Sequence, residues 1–178
     1  MKIVTLDKWL PHSERSGVLR VSTIVLHATA GGTAQSTIDW LRNPWAKVKG
    51  VLTKFPDASY HYIIERDGTI YKCVPTTKKA WHAGVSKGPH GSLVNDYSIG
   101  IAFANRNDGE EVTPEQAQAA QDLIHALWVG NRHLAFCTTH RLITSRKSDP
   151  KGFGFYEFVK HRTMLKPWRL ESLGRDWD

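Results

Sequence analysis

Four residues of this 178-residue chain carry types and spacings that could do chemistry together. In "THRLITSRKSDP" a histidine, His140, stands nine positions before Asp149, and a lysine, Lys147, stands two positions before that same aspartate. In an extended segment residues two apart face one side, so Lys147 and Asp149 are expected to reach a common point while Ser148 turns away. Pro150 reinforces this by biasing Asp149 towards extended backbone. His140, Asp149 and one further histidine would supply three nitrogen and oxygen ligands and leave a fourth tetrahedral position open, the pattern of a catalytic zinc site. His27, at the end of the apolar run "STIVLHATAGG", is the natural third, although nine histidines allow other pairs.

The elements that would position these groups follow from periodicity. Ser22 to His27 reads as a buried strand stopped by a small-residue loop. "TAQSTIDWLRN" has helical spacing and ends near Asn43, before Pro44. "NPWAKVKGVLTKFPD" is poorly periodic, basic and aromatic, and is expected to be a loop. "SYHYIIERDGTIYKCV" gives a hairpin around Arg66-Asp67-Gly68. Residues 98 to 104 alternate as a strand. Thr113 as N-cap, Pro114 at the first helical position and Gln116 at the capping-box position open a helix running to about Val129. A strand from Ala135 to Thr139 delivers His140, and "FYEFVKHRTML" suggests a last helix before a polar tail. The expected class is α/β: a mixed central sheet flanked by helices in one domain spanning 1–178.

Composition narrows the function. A hydrophobic fraction of 40% with seven Trp, six Phe and five Tyr excludes a disordered chain. No apolar run approaches the ~20 residues of a membrane span, so membrane insertion is not expected. Lys plus Arg number 24 against 17 Asp plus Glu, a net charge of +7 that favours a polyanionic partner such as nucleic acid, anionic lipid or wall polymer. No helix-turn-helix, zinc-finger or RNA-binding signature is present, so a nucleic-acid role is not expected. Cys73 and Cys137 lack metal or disulfide spacing and read as core thiols. The N-terminal stretch breaks its apolar run at Asp7 and Lys8 and lacks a secretory h-region, so synthesis without a signal peptide is expected.

The motifs "IVLHATAG", "SYHYIIERDGTIY", "AWHAGVS", "NDYSIGIAFAN", "TPEQ" and "THRLI…RKSDP" occur in the order seen in type 2 zinc-dependent N-acetylmuramoyl-L-alanine amidases. The chain resembles that family over about residues 20 to 160, including its phage lysozyme-type branch and the related peptidoglycan-recognition proteins. The resemblance implies one zinc ion on His27, His140 and Asp149 in a groove at strand ends, with Lys147 as the positive donor to a developing oxyanion. It places Tyr60 beside the reacting water, with neighbouring His61 turned away as a structural residue. It makes Trp81 and His82 of the "WHAG" turn, and Thr29 after His27, wall contacts for substrate. The implied substrate is peptidoglycan, cut at the amide joining N-acetylmuramic acid to L-alanine.

One departure bears on the branch. Cytosolic muropeptide amidases of this family carry a glutamate where this chain has Ala102, whereas the lysozyme-type branch lacks it. The expected protein is therefore a monomeric phage or prophage endolysin, made in the cytoplasm and acting on the wall after release. A cytosolic muropeptide-recycling amidase and a non-catalytic peptidoglycan-binding module are the alternatives. Basic residues in "WAKVKGVLTKF" and "KHRTMLKPWRL" are expected to hold the domain on the anionic wall.

Overall fold

The computed structural model describes residues 1–176; Trp177 and Asp178, the end of the expected basic aromatic tail, lie outside the described residues. In chain order the elements are β1 (Ile3–Thr5), β2 (His12–Ser13), β3 (Thr23–Ala28), α1 (Ala34–Arg42), β4 (Trp45–Val48), β5 (Val51–Lys54), β6 (Tyr62–Ile64) and β7 (Ile70–Lys72). They continue with β8 (Lys79–Ala80), α2 (Val94–Tyr97), β9 (Ser98–Phe103), α3 (Pro114–Gly130), β10 (Phe136–Thr139), α4 (His140–Ile143), α5 (Phe155–Arg162) and β11 (Lys166–Pro167).

Seven strands form the central sheet in the order β1-β7-β6-β9-β3-β10-β11. Only β6 and β7, joined through the Gly68 turn, pair antiparallel; every other neighbour in this sheet is parallel. The mixed sheet with flanking helices is the architecture the sequence predicts. Alternation sorts side chains to two faces. Ile24, Leu26, Ile99, Ile101 and Phe103 pack on one face with Leu123 and Ile124 of α3 and Phe158 of α5. Ile63, Ala102 and Ala104 pack on the other with Ile38 and Leu41 of α1.

Register decides where the chemistry can occur. β3 and β10 run parallel with Thr139 opposite Leu26, so the next residue on each strand brings His140 level with His27. β3 also pairs with β9, where His27 stands opposite Ala102. Both histidines thus leave the carboxyl ends of adjacent parallel strands, where open α/β sheets form their crevices.

Thr113 and Gln116 close the expected reciprocal capping box at α3, and at α1 Thr33 with Ser36 forms another that the sequence reading did not name. Two expectations need correction. Residues 45 to 54 are not a loop but the β4–β5 hairpin, closed by Lys49 and Gly50, both at positive φ (49° and 83°). Two consecutive left-handed residues match the twist of a two-residue hairpin, so turn geometry overrides the weak alternation. The stretch from Lys147 to Asp149 is irregular rather than a strand, so strict alternation does not aim its side chains. Among the described residues no helix is long and apolar enough to cross a membrane.

Candidate active site

His27, His140 and Asp149 meet in one place. One ligand-type atom from each lies within 4.8 Å of the other two, and all three residues are buried. His27 Nδ1 is 3.2 Å from both His140 Nδ1 and Asp149 Oδ2, and His140 Nδ1 is 3.2 Å from Asp149 Oδ1. Parallel register brings the two imidazoles together. The carboxylate is returned to them by a backbone bond in which the Arg141 amide donates to the Asp149 carbonyl at 2.9 Å.

The outward nitrogens are also held. His140 Nε2 is 3.2 Å from the Ala83 carbonyl, which can only accept, so that nitrogen carries a proton and Nδ1 faces the centre. His27 Nε2 is 3.0 Å from His82 Nδ1. Such outer partners fix ring orientation and tautomer in metal sites.

Burial pushes His27 down to about 4, despite the opposing influence of Asp149. Burial would raise the Asp149 carboxyl, but the close-packed His140 and His27 rings outweigh it and hold the group well below the usual carboxylate range. At neutral pH the centre therefore presents an ionised carboxylate and imidazole lone pairs at close range, with no imidazolium proton from His27 between them. That donor set fits a divalent cation, and two nitrogens with one oxygen leave room for a further ligand.

His140 and Asp149 open onto a groove of about 640 Å³ whose wall includes Tyr60, Trp81, Lys147 and Thr29, with the fully buried His27 behind them. The Tyr60 ring lies 5.2 Å from that of His27, and burial followed by the Asp149 charge raises its hydroxyl, which stays protonated. Lys147 is exposed on the rim, near enough for its charge to lower His27 further. Trp81 donates its indole N–H to Ser13 Oγ at 3.1 Å, which orients the ring along the wall. Thr29 Oγ1 accepts from the Gly31 and Asn105 amides, tying together the loops after β3 and β9. His82 borders the groove but is buried, and both its nitrogens are engaged, one by His27 and the other by Ser98 Oγ at 3.2 Å. It therefore stands behind the first ligand rather than offering a free nitrogen to substrate.

His61 is fully buried, with Nδ1 accepting from the Gly100 amide and Nε2 donating to the Lys78 carbonyl, the structural place expected for it. Cys137 is likewise a core thiol, pushed up by burial. Ala102 is buried beside His27, so no carboxylate stands at that point of the wall.

Other residues that build the site escaped the sequence reading. Arg175 Nη1 donates to the carbonyls of Arg141 and Lys147 at 2.6 and 2.7 Å, and Nη2 to that of Ser145 at 2.9 Å, fastening the loop that carries Lys147. Asn95 Oδ1 accepts from the amides of His82 and Ala83 and fixes the "WHAG" turn. An arginine in a polar tail and an asparagine in the single-turn helix α2 carry no local signal. Gly100, inside an apolar strand, did carry one, because glycine there marks a close approach.

The chain sets a buried His-His-Asp cluster of metal-ligand type at the strand ends of a mixed sheet. It belongs to the N-acetylmuramoyl-L-alanine amidase family, whose model matches residues 17–152. It is 34% identical over 114 residues to the 1,6-anhydro-N-acetylmuramyl-L-alanine amidase AmpD of Citrobacter freundii, covering 61% of this chain and 58% of that protein. The chain thus spans somewhat over half the length of that curated relative. Among solved structures, an AmpD selenomethionine derivative superposes with a TM-score of 0.71 at 28% identity, covering 89% of this chain and 92% of the other. An endolysin amidase, LysCS of Clostridium intestinale URNW, gives 0.66 at 26% identity, covering 89% and 93%.

Burial of His61 has a consequence for acid stability. Its pKa falls from 6.5 to about 3, first by desolvation and then by the Arg15 charge. Between those values the unfolded chain binds a proton that the folded chain refuses, so stability is lost as pH falls through 6.5 towards 3. The slope approaches ~1.4 kcal/mol per pH unit for one such group. Denaturant unfolding from pH 7 to 4 in chelator should show a shallower acid loss for His61→Asn than for wild type; parallel curves would contradict this.

Proposed function

We propose that this protein is a zinc amidase that cleaves the bond between N-acetylmuramic acid and L-alanine in peptidoglycan. The observation that carries the reading is the buried convergence of His27, His140 and Asp149 at the floor of an open groove. A complete ligand set favours catalysis over a purely binding module. Zinc held there would polarise the scissile carbonyl and activate water near neutral pH.

The chain's own residues supply the rest. The amide carbonyl gains negative charge as water adds, and Lys147, positively charged on the rim, donates to it. Such a donor is worth on the order of 3 kcal/mol of transition-state stabilisation. Tyr60 keeps its proton and donates a hydrogen bond that orients the attacking water. Trp81 and Thr29 shape the wall against the sugar and peptide.

Ala102, the likeness to an endolysin amidase and the exposed lysines of the β4–β5 hairpin support action on intact wall by a phage or prophage endolysin. The identity to the Citrobacter AmpD favours a second reading, recycling of soluble muropeptides in the cytoplasm.

Purified sacculi and soluble anhydromuropeptides, digested side by side, separate the two. An endolysin should release new N-terminal L-alanine amines from sacculi without new reducing sugar ends, lose activity in chelator and regain it with zinc. Lys147→Ala should lower kcat roughly 100-fold or more. New reducing ends alone would redirect the reading to glycan cleavage, cleavage of soluble muropeptides only would favour recycling, and full activity of Lys147→Ala would remove its role. Pelleting of the protein with sacculi should weaken as salt rises from 50 to about 500 mM, since the lysine contacts are screened; salt-independent pelleting would contradict wall association by charge.

A further inference from the structure

Behind His27 lies a chain of hydrogen bonds whose donors and acceptors can be assigned one after another. Ser98 Oγ is 2.6 Å from the Val94 carbonyl, which can only accept, so the hydroxyl proton points there. Towards His82 Nε2, at 3.2 Å, the same oxygen can then only accept. His82 therefore carries its proton on Nε2, the neutral tautomer whose Nδ1 is left to accept. Its bare Nδ1 faces His27 Nε2 at 3.0 Å, so His27 must place its proton on Nε2. What remains on His27 is a lone pair at Nδ1, aimed at His140 and Asp149.

The ring that sits in the middle of this chain is fixed from below and along its backbone. A Cβ at Gly100 would lie 2.5 Å from His82 Cγ, so the imidazole rests directly on a strand position that only glycine leaves open. The backbone on either side of the ring is pinned by Asn95. In the opposite tautomer His82 would carry its proton on Nδ1, His27 Nε2 would have to accept it, and the His27 proton would move to Nδ1 in the middle of the ligand cluster.

We propose that His82, set by Ser98 and Val94, is a positioning residue that selects the metal-binding tautomer of His27. This rests on the metal reading above and assigns His82 a task other than holding substrate. Outer partners of this kind change metal affinity by 10- to 100-fold.

The test uses the whole purified chain and zinc itself, with affinity measured by competition against a chromophoric chelator. His82→Leu, similar in bulk but without an acceptor, should bind zinc 10- to 100-fold more weakly. His82→Asn, whose Oδ1 can take the place of Nδ1, should recover affinity to within a few-fold. Ser98→Ala should lie between His82→Leu and wild type while melting near the wild-type temperature. Long-range 1H–15N spectra of the metal-free protein should show His27 as the Nε2–H tautomer in wild type and a mixture in Ser98→Ala, a readout that does not depend on His82→Leu folding. Equal affinity of wild type and His82→Leu, no rescue by asparagine, or an Nδ1–H tautomer for wild-type His27 would each overturn the proposal while leaving the metal reading intact. Wild type that takes up no zinc would overturn both.

Discussion

Electron-rich atoms of His27, His140 and Asp149 are held about 3.2 Å apart in a buried site, and the repulsion among them is the constraint on which the rest depends. A proton could relieve it, but burial drives His27 to about 4 and so withholds that proton at neutral pH. A cation bound there would neutralise the cluster. The convergence makes an open-sided ligand set whose outer nitrogens are already oriented by the fold.

Folding achieves this through register more than through local geometry. The parallel pairing of β3 and β10 sets His140 level with His27, and β9, paired with β3, sets Ala102 beside His27 and Gly100 under the ring of His82. The carboxylate and the lysine arrive on an irregular loop. That loop is held at one end by the Arg141–Asp149 backbone bond and along its length by Arg175. Rigid strands thus place the two imidazoles, while side-chain clamps place the groups that must come to them. The open groove follows, since the loops after β3, β9 and β10 diverge from the same sheet edge.

Much of this was legible in the residues. The buried run ending at His27, the capping box of α3 and the Gly68 hairpin are local signals, and each appears within a residue or two of its expected bounds. The ligand triple was legible only with the family resemblance, because spacing alone does not choose among nine histidines. The β4–β5 hairpin was missed because four-residue strands rich in lysine carry little alternation, and its turn uses a lysine in the left-handed region. The pairing of β1 with β7 and the Arg175 clamp join residues more than 25 positions apart, and neither leaves a trace in the local pattern. His82 was placed on the substrate side by the resemblance of its "WHAG" turn; in the fold it borders the groove, but its ring packs on Gly100 and its Nδ1 meets His27.

Zinc-edge X-ray absorption on the metal-loaded protein tests the central claim most directly. Two imidazole nitrogens and oxygen scatterers at about 2.0–2.2 Å in a four-coordinate shell, one metal per chain, are the expected result. A sulfur shell near 2.3 Å, which would bring in Cys73 or Cys137, or a shell without imidazole scattering, would contradict it.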